Sequence, residues 1–162
     1  MISRRTMLSA TALAPAAALV GCAGSGGLAS AVSDINLVIQ GLAKVIPGLQ
    51  GAGVALPGGV SWAQLQTWLA DAQAAATAVA SGTTGTTAGQ QFLSAAESIL
   101  GVLASIPLIP RPWNAVVGAA AVLLPIIAAA LGGATPPSAV KLMARVPSMT
   151  VAEARAILAA QK

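Results

Sequence analysis

Trp113-Asn114-Ala115-Val116-Val117-Gly118-Ala119-Ala120-Ala121-Val122-Leu123-Leu124-Pro125-Ile126-Ile127-Ala128-Ala129-Ala130-Leu131 is the stretch on which the fold turns. It holds no charge, and its one strongly polar residue, Asn114, sits at the edge. Coiled as a helix, it points Val116, Val117, Val122, Leu123, Leu124, Ile126 and Ile127 all round its axis. A helix apolar on every side is either the centre of a bundle or a membrane span. It reaches the roughly 20 residues a span needs, and Trp113, with Arg111 just outside, matches an interfacial anchor. Pro125 argues for neither setting, since kinks occur in both. The neighbouring segments weigh on the choice.

Three of those segments have helical period. From Ser30 to Ile46, Val32, Ile35, Val38, Ile39, Leu42, Val45 and Ile46 fall in one arc of about 140°, opposite Asn36, Gln40 and Lys44. Pro47-Gly48 is expected to stop this helix, followed by a Gly-rich loop through Gly59. Ser61 then reads as an N-cap with Gln64 as its capping-box partner. The second helix turns Trp62, Leu65, Trp68, Leu69, Ala72, Ala76 and Val79 one way, and Gln66, Thr67, Asp71 and Gln73 the other. A polar loop from Ser81 to Thr87 leads to a third helix over 88–106, with Phe92, Leu93, Ala96, Ile99, Leu100 and Leu103 on its apolar face. Pro107, Pro110 and Pro112 forbid helix and leave an extended elbow.

Beyond Gly132-Gly133 and Pro136-Pro137, a short helix from Ser138 should stop before Pro147. The capping box Thr150-Val151-Ala152-Glu153 opens a last one through Arg155, Ile157 and Leu158. This tail is expected to dock loosely. Three amphipathic faces need a common apolar partner, and 113–131 can supply it. The expected fold is all-α: an antiparallel bundle of about four Ala-rich helices over 30–135, with a short helical C-terminal tail over 136–162. The membrane-span reading stays open beside it.

The composition agrees. Of 162 residues, 56% are hydrophobic but only 2% aromatic, and 7% are charged, against roughly 25% in ordinary soluble domains. Such a chain lies against lipid, against another copy, or folds into a bundle with a neutral Gln/Ser/Thr surface. Its net charge of +4 falls to +2 without Arg4 and Arg5, six cations against four acids. The cations are scattered singly, which excludes the clustered footprint of a nucleic-acid binder.

The N-terminus carries an address. Residues 1–22 run from a cationic start through an apolar stretch, Ala10 to Val20, to a small-residue cleavage region. Ser3-Arg4-Arg5-Thr6-Met7-Leu8 resembles the twin-arginine translocation motif Ser-Arg-Arg-x-Phe-Leu-Lys, with Met7 for Phe and Ser9 for Lys. Leu19-Val20-Gly21-Cys22 resembles the bacterial lipobox. That resemblance implies a lipoprotein precursor, with signal peptide 1–21, lipid on Cys22 and a tether over 22–29. Arg4 and Arg5 would be read by the twin-arginine translocase, and Cys22 would hold the chain in membrane lipid. Two or more acyl chains anchor stably where one does not. Ala23 in place of a retaining Asp points to the outer membrane where the organism has one. Cys22 is the sole cysteine, so no intramolecular disulfide can form. Ala23-Gly24-Ser25-Gly26-Gly27 nearly spells a nucleophile elbow, but it lacks the first Gly and follows an anchor rather than a strand. It reads as linker.

Catalytic chemistry is poorly provided for. There is no His and no Tyr, so the commonest general base is missing, as are imidazole metal sites. Asp34, Asp71 and Glu97 fall one per helix, the layout of a carboxylate di-metal centre, but the E-x-x-H pairs of such centres are impossible here. All three read better as solvated surface acids. Trp62 and Trp68 suit core packing better than a stacking platform. No cofactor is expected. The function expected is that of a non-catalytic envelope lipoprotein, acting through contact with an envelope protein or a second copy. The alternative is a holin-like, membrane-permeabilising protein using 113–131.

Changing Arg4 and Arg5 together to Lys should stall export, because Lys offers a point charge where arginine offers a planar fork. Fractionation checks this. Unchanged export of the double variant would assign the chain to the general secretory route.

Overall fold

The computed structural model describes residues 25–82, 85–146 and 148–161. Among these the fold is all-α: α1 Ser25–Gly51, α2 Trp62–Ala80, α3 Gly85–Ser105, α4 Trp113–Ala130, α5 Pro137–Met143 and α6 Val151–Ala159, with a 3-10 turn at Pro57–Gly59 and no strand. Helices α1 to α4 form an antiparallel bundle. Trp113, opening α4, lies on Gly48 near the end of α1, and Val116 reaches back to Gly41. Leu131, past the end of α4, meets Gly89 near the start of α3. Helices α2 and α3 pack closely on each other.

The apolar arcs become the core. Ile35, Val38, Ile39, Leu42, Val45 and Ile46 of α1 are buried, as are Phe92, Leu93, Ala96, Ile99, Leu100 and Leu103 of α3. Asn36, Gln40 and Lys44 face solvent. Ser61 caps α2: the Gln64 N–H donates to Ser61 Oγ (3.2 Å) and the Ser61 N–H to Gln64 Oε1 (3.1 Å). Trp62 and Trp68 are half-buried against the core. In α4, Val116, Val117, Leu123, Leu124 and Ile127 are buried, while Val122, Pro125 and Ile126 are half-exposed. By length and composition Ala29–Gly51 and Trp113–Ala130 could each cross a membrane, yet half or slightly more of each is buried inside the bundle.

Beside α3 opening at Gly85, inside the expected loop, and Glu97, four features depart from expectation. Helix α1 continues through Pro47 to Gly51. A proline inside a helix costs about 3 kcal/mol, but one more turn buries Leu49 completely, about 1.5–3 kcal/mol. It also brings Gly48 under the Trp113 indole, where a Cβ would overlap the ring. The helix closes instead at Gly53 (φ 70°), with the Gly53 N–H donating to Gln50 O (3.1 Å) and the Val54 N–H to Leu49 O (3.1 Å), a Schellman ending. At the other end, 25–29 is helical rather than tether, because adding a turn to an existing helix needs no new nucleus.

The third and fourth departures are one event. Asp34 is not solvated but 2% exposed, and the tail is docked rather than loose. Arg155 of α6 grips Asp34 with both prongs: Nε donates to Oδ1 and Nη2 to Oδ2, each at 2.7 Å. Nη2 also reaches Ser30 Oγ at 3.4 Å. Ala154 and Leu158 beside it are fully buried against α1 and α4. The hydrogen bonds and charge of Asp34 hold the Arg155 pKa above its ordinary value. Thr150 caps α6, its backbone N–H (2.7 Å) and hydroxyl (2.8 Å) both donating to Glu153 Oε2. These bonds, the backbone one first, lower the Glu153 pKa. The cap's contribution is therefore full above the ordinary carboxylate pKa and is lost as pH falls through the depressed one.

Arg155→Ala leaves Asp34 buried and unpaired. Breaking a buried pair costs about 3–5 kcal/mol and an exposed pair contributes about 0–1. With Arg155 at 42% and Asp34 at 2% exposure, the expected loss is about 2–3 kcal/mol, read from the urea midpoint. A loss under about 1 kcal/mol would mean that solvent screens the pair as it does a surface one.

Candidate functional site

A cleft lies where the sequence forbids helix. Prolines 107, 110 and 112 keep 107–112 out of helix ahead of α4, and Leu142, Arg145, Val146 and Met149 stand on the far side. Between these walls is a cleft of about 610 Å³. Val117 and Gly118 of α4 floor it, Leu108 and Ile109 form one wall, and Leu142 and Met149 the other. Gly118 sets the spacing, since a Cβ there would come within 2.6 Å of Val146 Cγ2.

The charge is one-sided. Arg111 and Arg145 line the cleft and no carboxylate does. Arg145 Nη1 donates to the Ile106 carbonyl at 3.3 Å, bridging the walls. Arg111 is exposed. Leu108, at the mouth, is 83% exposed, against zero for the core leucines Leu123 and Leu124. The arrangement offers an apolar trough with cationic donors and no nucleophile. A second depression, between α2 and α3, is lined by Asp71, Ala74, Ala75, Gln91 and Ser94.

The wall that carries Leu142 and Arg145 is set by Glu97, which the sequence reading placed in solvent. Glu97 of α3 is half-buried and crosses to the first turn of α5. There its Oε1 accepts from Ser138 Oγ (2.6 Å) and its two oxygens from the Ser138 N–H (3.3 and 3.2 Å). A tertiary carboxylate thus does for α5 what a capping side chain does locally, because Pro136, in the cap position, has no side-chain acceptor.

The remaining residues singled out from the sequence are scattered or out of view. Arg4, Arg5, Leu19, Val20, Gly21 and Cys22 lie outside the described residues. Asp34, Asp71 and Glu97 do not converge: the first pairs with Arg155, the second is exposed on α2, and the third caps α5. Among the described residues no three His, Cys, Asp or Glu side chains are grouped to hold a metal ion. The cleft itself was missed from the sequence. Its available signal was an apolar run, Ile106 to Ile109, that prolines keep out of any helix. No family model, curated protein or solved structure matches the chain.

Glu97→Ala removes the carboxylate that caps α5 and should cost about 1–2 kcal/mol, with Glu97→Gln recovering part of it through the amide oxygen. Denaturant unfolding of both variants checks this. Equal loss in the two would mean that charge at the helix terminus matters and the hydrogen bonds do not.

Proposed function

We propose that the chain is an exported envelope lipoprotein, held to a membrane by lipid on Cys22, whose helical bundle acts through contact and not catalysis. The observation that carries this is Leu19-Val20-Gly21-Cys22, which places the sole cysteine at the end of a signal-like segment that begins Ser3-Arg4-Arg5. Given that anchor, the position of α1 sets the orientation of the bundle. The described part of the helix begins at Ser25, three residues after Cys22, and three residues reach at most about 10 Å. Lipid on Cys22 would hold this end of the bundle close to the bilayer. From Ser25 to Gly48, α1 rises about 35 Å, so the cleft beside α4's start would lie at the far end.

The holin-like alternative draws on the length and apolarity of α4. The contacts of α4 with α1, α3, α5 and α6 favour the bundle, because a span would have to give them up to lipid.

Cys22→Ser should leave an uncut precursor that takes up no radioactive palmitate, while the parent chain is labelled and cut. Normal labelling of the variant would falsify the anchor. If the unlipidated protein also resisted extraction from membranes by alkaline carbonate, the spanning alternative would replace the bundle.

A further inference from the structure

We propose that the cleft between the proline elbow and α5 binds a long-chain fatty acid, its carboxylate taken by Arg111 and Arg145 and its chain laid along Ile109, Val117 and Met149. The claim does not depend on lipidation of Cys22, because the cleft is built entirely from residues 106–149.

Three observations converge on this ligand. The first is the lining, which is apolar apart from Asn114 and the two arginines and carries no acid. A neutral apolar ligand would leave both guanidiniums unanswered, and a fully polar anion would waste the apolar floor. An amphiphile with one anionic head satisfies both. The second is how the charges are disposed. Arg155 already has its carboxylate in Asp34, whereas neither Arg111 nor Arg145 has an acid within ion-pairing distance among the described residues. Arg145 gives one N–H to Ile106 O, and a guanidinium has five in a planar fork. Donors therefore remain for a carboxylate, which the fork matches bidentately. The third is Leu108, a large apolar side chain held in water at the mouth of an apolar trough. Closing over an acyl chain would remove that surface from solvent, and burial of this kind drives association.

Size selects among amphiphiles. At about 610 Å³ the cleft falls within the roughly 300–1,000 Å³ typical of small-molecule sites, room for one chain with its head but not for a two-chain phospholipid. Met149 suits such an occupant, since an unbranched thioether adapts to a flexible neighbour. The proline elbow pre-forms one wall, which limits the ordering cost of binding.

The test uses the full 162-residue chain, made by cell-free synthesis so that no lipid is attached, and calorimetric titration with hexadecanoate below its micelle concentration. Saturable one-to-one binding is expected, with hexadecanol at least about tenfold weaker, the equivalent of about 1.4 kcal/mol. Arg111→Glu and Leu108→Asp alter exposed side chains, so circular dichroism should show their helix content intact. Each should weaken hexadecanoate binding at least about tenfold. Lys44→Glu makes the same charge change on the exposed face of α1 and should leave binding unchanged, which separates the cleft from an effect of net charge. The proposal is overturned if binding is not saturable, if hexadecanol matches hexadecanoate, or if Arg111→Glu binds as the parent does. Tighter binding of a lysophosphatidate than of hexadecanoate would also overturn it, assigning the cleft to a phospholipid headgroup.

Discussion

An uncharged helix cannot be left in water, and α4 is covered on most sides by four others. Helices α1, α3, α5 and α6 all pack on it, and Leu123, Leu124 and Ile127 are completely buried. Each such side chain contributes about 1.5–3 kcal/mol. Those contributions are lost if any covering helix leaves. Between the large residues, Gly118, Ala119, Ala120 and Ala121 are buried with little or no side chain. A thin stretch of this kind lets neighbours approach at the short end of the about 8–10 Å interaxial range. Where cover is incomplete, at Val122, Pro125, Ile126 and Ala129, the residues follow one i, i+3, i+4, i+7 stripe of the helix.

This dependence explains which parts of the fold were legible in the sequence. Periodicity in α1 and α3 reports a face that must be buried somewhere, and every residue the pattern picks out there except the half-buried Val32 is buried. The all-round apolar character of 113–131 told of a helix covered on all sides, but left bundle and membrane both open as the cover. What periodicity cannot tell is which segment provides the cover. Asp34 shares a face with Ala31, Ile35 and Val38, all buried. It reads as a surface acid until α6 is laid over it from 121 residues further along. Pro47 reads as a stop because its local cost is visible in the sequence, while the compensation from Leu49 and Trp113 is not.

The same logic applies to the cleft. Proline positions foretold an elbow, but a cleft is a relation between two walls, and the second wall comes from the tail. Its placement rests on Glu97 reaching Ser138 and on Arg145 reaching Ile106, contacts 41 and 39 residues apart in sequence. Neither has a local signature.

Scarcity of charge makes each ionised group informative. Asp34 holds α6, Glu97 holds α5 and Glu153 caps its own helix, so three of the chain's four acids are engaged in positioning helices. The fourth, Asp71, lies on α2 and lines the other depression. Of the cations on the described residues, only Arg155 has an acidic partner. Arg111, Lys141 and Arg145 remain unopposed, two of them in the cleft and Lys141 on the α5 that walls it. A low-dielectric trough with cations of one sign about it concentrates their field. The positive character of this end of the bundle thus comes less from an excess of cations than from internal use of the anions.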